Sequence, residues 1–196
     1  IIKDVDGVYF PKTQIVPYID TVHDRATIEL FRGCIRGCRF CQAGMLYRPT
    51  RERDVEVLKQ YAKQMLENTG HEEISLSSLS SSDYSQLEDL VNFLIDTCRE
   101  RMVNISLPSL RIDAFALDVM SKVQDIRKSS LTFAPEAGSQ SMRNVINKGL
   151  TEEDIEAMRN KIKEANMPER TEKKAMDELR RYQDTPAQMA DSQILK

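Results

Sequence analysis

The stretch Ala26-Thr-Ile-Glu-Leu-Phe31-Arg-Gly-Cys34-Ile-Arg-Gly-Cys38-Arg-Phe-Cys41-Gln-Ala-Gly44 decides how this chain is read. Its first six residues are rich in apolar and β-branched types and nominate a strand over residues 26–31. Directly behind it, three of the four cysteines fall within eight residues, spaced C-x3-C-x2-C. Three thiols in so tight a loop, with Gly33, Gly37 and Gly44 letting the backbone fold round a bulky inorganic core, suit an iron–sulfur cluster. Three thiolates on a four-iron cluster leave one iron open to a substrate or cofactor. Arg32, Arg36 and Arg39 are expected to offset the charge of such a centre. A disulfide is disfavoured in a reducing compartment. Zinc is the alternative, but a structural zinc site normally takes four ligands, and His23 would have to be recruited from upstream. Cys98 falls on the apolar stripe of a nominated helix beside Leu94, where a free cysteine acts as a small hydrophobe.

Working outward, short apolar runs alternate with amphipathic helical stretches from residue 26 to residue 134, the pattern of βα units on a parallel sheet. After the first strand come Glu73–Leu79, then Val103–Leu107 stopped by Pro108, then Ser129–Ala134 stopped by Pro135. Helices are expected over Asp54–Asn68, with Gly70 as a left-handed cap, over Ser85–Arg101, and over Ala114–Val123. Beyond Gly149 the pattern changes. Thr151-Glu-Glu-Asp154 reads as a helix start, with Ile155, Met158, Ile162 and Ala165 on one stripe. Asn166-Met-Pro168 interrupts it, and a second helix carries Ala175, Met176, Leu179 and Tyr182 before Pro186. No β-like run follows residue 149. The fold class is therefore α/β: a partial βα barrel of about four parallel strands followed by a helical tail.

Composition narrows the function classes. The 196 residues carry a net charge of −3, with 40% hydrophobic and 30% charged side chains, which argues against disorder and against a nucleic-acid-coating protein. No long apolar run suggests a membrane span and no leader-like order suggests secretion, so the cytoplasm is the expected compartment. The average conceals a division. All seven glycines lie in the first 149 residues, and 18 of the 43 residues from 154 to 196 are charged, against 41 of the 153 before them. Residues 1–25 read as a linker, 26–150 as an incomplete βα core, and 151–196 as a charged helical tail. The chain opens on Ile1 rather than Met, as expected of a segment of a longer protein.

The cysteine loop, with Phe40 just before the third cysteine and a strand before the first, resembles the radical SAM superfamily. The stretch from about Val16 to Leu150, including VPYIDTVHDRATIELFRGCIRGCRFCQAGMLYRPTRER, EISLSSLSSSDYSQLEDLV, ISLPSLRID and LTFAPEAGSQSMRNVINKGL, is similar to an uncharacterised branch of it. That branch often carries an upstream cobalamin-binding-like domain and is similar in its core to methylthiotransferases. The resemblance implies that Cys34, Cys38 and Cys41 bind a [4Fe-4S] cluster whose free iron is chelated by S-adenosylmethionine. It implies reductive cleavage to a 5′-deoxyadenosyl radical, with an electron donor such as flavodoxin or ferredoxin. Phe40 would lie near the adenine. The Ser78–Asp83 segment, with Ser80 and Ser82, takes the place of the family's often glycine-rich motif at the methionyl amino group. Arg111 is a candidate for the methionyl carboxylate and Glu136 for a ribose or substrate hydroxyl. All follow strands, on the side where βα barrels keep their chemistry.

Each of these residues has a plainer reading. Phe40 packs under the loop, Ser82 or Asp83 caps the next helix, and Arg111 and Glu136 are solvated turn charges. Arg48, Arg51 and Arg53 read as a solvated basic run, and His23 and His71 as isolated. From about Asp154 the chain instead resembles the N-terminal helical region of Lon protease, on KIKEANMPE, EKKAMDELRRY and the D-S-x-I ending. The alternative function is thus a non-catalytic fragment or fusion with a helical recognition or assembly arm. An open parallel sheet edge would then favour self-association.

Overall fold

The computed structural model describes residues 2–111, 122–123 and 134–164. The described elements run β1 (Ala26–Glu29), β2 (Phe31–Arg32), α1 (Gln42–Leu46), β3 (Arg51–Glu52), α2 (Val55–Thr69), β4 (Glu73–Ser77), a 3-10 turn (Ser81–Asp83), α3 (Leu87–Arg101), β5 (Asn104–Ser106), α4 (Gln140–Val145) and α5 (Glu152–Glu164). The α/β expectation holds: β1, β4 and β5 form a parallel sheet in that order, joined through α2 and α3. The nominated fourth strand (129–134), the helix over 114–123 and the tail beyond residue 164 lie wholly or largely outside the described residues.

Register explains which face of the sheet is dry. Ala26 pairs with Ile74, Ile28 with Leu76, and Ile74 with Ile105, so successive strands put their apolar residues on one face. That face packs with Leu58, Ala62 and Met65 of α2 and Leu90, Leu94 and Cys98 of α3, all fully buried. Each fully buried large aliphatic side chain contributes about 1.5–3 kcal/mol. The alternate positions are polar: Thr27 stands opposite Ser75, Glu29 opposite Ser77, and Ser75 opposite Ser106. Cys98 therefore belongs to the core, and burial pushes its thiol up to about 11.

The helix boundaries follow local chemistry. Asp54 caps α2 by accepting from the Glu56 amide at 2.8 Å, and Gly70 ends it in the left-handed region at φ 70°. At α5, the Thr151 hydroxyl accepts from the Asp154 amide at 3.2 Å while the Asp154 carboxylate accepts from the Thr151 amide at 2.9 Å. The plainer reading of the serine run needs correcting. α3 begins after Gln86 with no side-chain cap, and neither Ser82 nor Asp83 reaches it. Residues 81–83 instead make their own turn, and the Asp83 carboxylate is taken by an arginine from the cysteine loop.

The basic run also departs from expectation. Arg53 is only 2% exposed: its guanidinium lies over the rings of Phe10 and Tyr61, reaches Glu29 at 3.3 Å and donates to the Val5 carbonyl. An arginine can be buried this way because its planar group stacks on aromatics while its N–H fork finds acceptors. The N-terminal stretch supplies part of that burial. Val5 is buried, Phe10 stacks on Tyr61 at 4.6 Å, and Asn68 at the end of α2 donates to the Lys12 carbonyl. His71 is not isolated either: it is buried, with Nδ1 3.1 Å from Asp24.

Candidate functional site

The cysteine loop leaves β2, turns through α1 and returns as β3, which pairs antiparallel with β2 through Phe31–Glu52 and Arg32–Arg51. This small ribbon closes the loop at its base. Gly33 permits the closure, since its φ of 98° suits glycine and a Cβ there would stand 2.5 Å from the Tyr47 carbonyl oxygen. Inside the loop, Arg48 donates through Nε to the Gly44 carbonyl at 2.6 Å and through Nη2 to the Arg36 carbonyl at 3.1 Å. Two backbone carbonyls of the loop are thus fixed by one side chain.

Cys34, Cys38 and Cys41 are free thiols, the first two buried and the third half-buried, and all border one cavity of about 390 Å³. Phe40, Ser80, Arg111 and Glu136 border the same cavity. Phe40 is 55% exposed and does not pack under the loop. Arg111 donates to the Lys148 carbonyl at 2.6 Å, and Glu136 receives the Lys148 ammonium at 3.1 Å, so neither is a free turn charge. Ser82 stands apart from the lining. Its hydroxyl accepts from the Arg111 amide at 3.3 Å and so holds the backbone that presents the arginine.

The expected charge balance is redistributed. Arg32 pairs with Glu29 at 2.9 Å and Arg39 donates to the Val145 carbonyl. Arg36 grips Asp83, with Nε 2.8 Å from Oδ2 and 3.1 Å from Oδ1. Burial alone would push the Asp83 carboxyl up, but the hydrogen-bonded Arg36 guanidinium, with Ser80 nearby, outweighs it and holds the group below the ordinary carboxylate range.

Residues 139–150 form a part of the site that the sequence pattern did not nominate. Ser139 caps α4 by accepting from the Met142 amide. The helix then breaks through Asn147 (φ 53°) and Gly149 (φ 62°), both left-handed. The result is a clasp on the cysteine loop: Asn147 donates to the Gly37 carbonyl at 2.8 Å, and the Arg39 amide donates to the Ile146 carbonyl at 2.9 Å. Fully buried Arg143 stabilises the clasp from behind, donating to the carbonyls of Ala137, Gly138 and Leu150. The usable signal was Ser139 as a helix-capping residue, and then the Asn-Lys-Gly turn.

A family model described as the radical SAM superfamily matches residues 28–176. The chain belongs to the radical SAM superfamily. The match opens in β1 and continues past residue 150, where the glycine and charge usage change. Two relatives from the archaeon Methanocaldococcus jannaschii are similar to it. An uncharacterised protein is 38% identical over 128 residues, covering 65% of this chain and 27% of that protein. A protein named "Putative methylthiotransferase" is 25% identical over 133 residues, covering 64% of this chain and 29% of that protein. The chain thus spans less than a third of the length of these curated relatives. Among the described residues, no helix is long and apolar enough to cross a membrane.

The radical SAM residues fit a multi-iron centre. Among the described residues, no three His, Cys, Asp or Glu side chains are grouped to hold a single metal ion. A four-iron cluster does not ask for such convergence, because each thiolate binds a different iron. It does ask for three thiols at one cavity, and Cys34, Cys38 and Cys41 all border the same one.

Proposed function

We propose that this radical SAM chain binds a [4Fe-4S] cluster through Cys34, Cys38 and Cys41 and holds S-adenosylmethionine in the cavity beside it. The observation that carries the proposal is that one cavity is bordered by all three cysteines and by Phe40, Ser80, Arg111 and Glu136, although they come from separate parts of the chain. When bound, such a cluster supplies one electron to the sulfonium, whose C5′–S bond breaks to give methionine and a 5′-deoxyadenosyl radical.

The chain's own residues would bind and orient. The exposed ring of Phe40 offers a face for the adenine. Arg111 brings a guanidinium suited to the methionyl carboxylate, and its backbone is already fixed by Ser82. Ser80, which also borders the cavity, would meet the methionyl amino group. Glu136 would accept from a ribose or substrate hydroxyl, with the Lys148 ammonium 3.1 Å away holding its carboxylate in place. The thiolates and their cluster favour a reducing compartment such as the cytoplasm, with a flavodoxin- or ferredoxin-like protein as electron donor.

The test is product formation. The full chain is reconstituted anaerobically with iron and sulfide, reduced with dithionite and incubated with S-adenosylmethionine, and 5′-deoxyadenosine and methionine are quantified. Both should form in the parent and vanish in Cys34→Ala, Cys38→Ala and Cys41→Ala. Equal yields from parent and variants would sink the assignment.

A further inference from the structure

We propose that Arg36 and Asp83 are a positioning pair that ties the cysteine loop to the end of β4 and cancels the arginine's charge beside the thiolates; the second half of this rests on the cluster-binding reading above. Arg36 lies midway between Cys34 and Cys38, so whatever holds its side chain holds the turn between two of the three thiols. Its guanidinium donates to both oxygens of Asp83. The aspartate side chain is only 6% exposed while the arginine's is 37% exposed, so the carboxylate end of this two-pronged pair is out of water and the guanidinium is partly solvated.

Asp83 is itself fixed. Its amide donates to the Ser80 carbonyl at 2.9 Å, closing the turn after β4. The Ser81 amide in that turn donates to the Ser109 carbonyl at 2.8 Å, and the Ser81 hydroxyl reaches the Leu76 carbonyl at 3.3 Å. A chain of contacts therefore runs from the sheet through the turn to Asp83, from Asp83 to Arg36, and from the Arg36 carbonyl through Arg48 to Gly44. The loop is attached here by an ion pair with defined geometry.

The charge consequence follows from the same contact. An arginine between two cluster ligands would draw electrons toward the centre and raise its potential. With Asp83 against it, Arg36 presents a dipole whose two ends largely cancel at a distance. Breaking the pair from opposite sides then leaves opposite residual charges. A role that is merely structural predicts no such opposition.

The experiment uses the full chain as parent, Asp83→Asn, Arg36→Gln and the double variant, in two arms. In the metal-free arm, alkylation of Cys34 and Cys38 by iodoacetamide is followed by peptide mass spectrometry. Each single variant should react about fivefold faster, and the double variant no faster than the singles, because a broken pair cannot be broken twice. Multiplying effects, or unchanged rates, would overturn the tether. In the cluster arm, the reconstituted proteins are titrated for midpoint potential. Asp83→Asn should shift it upward, Arg36→Gln downward, and the double variant should return toward the parent. Shifts of the same sign, or none, in proteins that keep their iron would overturn the charge cancellation. Loss of iron from a single variant with helical content intact supports the tether. If a variant fails to fold, Arg36→Lys and Asp83→Glu replace it: each keeps the charge but spoils the two-pronged geometry, so faster alkylation with little change in potential is expected, and parent-like alkylation counts against the pair. A parent that takes up no cluster would refute the proposed function, while the alkylation arm would still judge the tether.

Discussion

Asn147 donates its side-chain amide to the Gly37 carbonyl at 2.8 Å, across 110 residues of sequence. The contact couples the turn after α4 to the middle of the cysteine loop, and Asn147 adopts φ 53° to make it. Asparagine suits that position because its short amide tolerates the left-handed region better than other side chains do.

Asn147→Ala should therefore cost about 1–2 kcal/mol, combining the lost hydrogen bond with alanine's poorer tolerance of the left-handed region. Asn147→Gly keeps the backbone relaxed and should cost less. Denaturant unfolding midpoints of the two variants check this order, and the reverse order would contradict the clasp.

Gly33→Ala should be the most damaging single-methyl change in the loop. The new Cβ would meet the Tyr47 carbonyl oxygen at 2.5 Å, and φ 98° is strained for any residue with a side chain. The expected result is a loss of about 2 kcal/mol or more, together with a fall in iron taken up on reconstitution. Gly70→Ala is the control, because no atom lies within 4 Å of a Cβ there and its φ of 70° imposes only the backbone strain. Equal iron uptake by the Gly33→Ala variant and the parent would refute the closure argument.

The acid limb of stability should reflect Glu29 and Asp83. Burial alone would push both carboxyls up, but Arg32 and Arg53 around Glu29, and Arg36 with Ser80 around Asp83, hold each below its ordinary value. A group whose folded-state pKa is depressed contributes stability that is present above its unfolded pKa and is lost as pH falls through the folded one. The stabilisation should thus be intact above about pH 5 and decline below about pH 4. Unfolding midpoints measured from about pH 6 to about pH 3 should fall less steeply in Glu29→Gln and Asp83→Asn than in the parent. An unchanged slope would show that these pairs do not set the acid limb.

The legible parts of the fold were those with a local signal. The apolar run at 26–31, the stop at Pro108 and the Asp54 and Gly70 caps are local signals, and among the described residues β1, β4, β5, α2 and α3 begin and end within a few residues of expectation. The cysteine loop was legible for the same reason. The long-range partners were not. Arg36 with Asp83, Asn147 with Gly37, and Arg53 over Phe10 and Tyr61 depend on where the chain returns in space, and an arginine's spacing does not reveal whether it meets water or a carboxylate. The ribbon β2–β3, only two residues on each side, is too short for periodicity to detect.

The central claim is that the C-x3-C-x2-C thiolates hold a four-iron cluster with one iron open to S-adenosylmethionine. Electron paramagnetic resonance of the anaerobically reconstituted, reduced full chain, recorded with and without S-adenosylmethionine, tests it most directly. The account predicts a reduced-cluster signal that changes shape when the cofactor is added and is absent in Cys34→Ala, Cys38→Ala and Cys41→Ala. A chain with no cluster signal, or a signal indifferent to the cofactor, would contradict it.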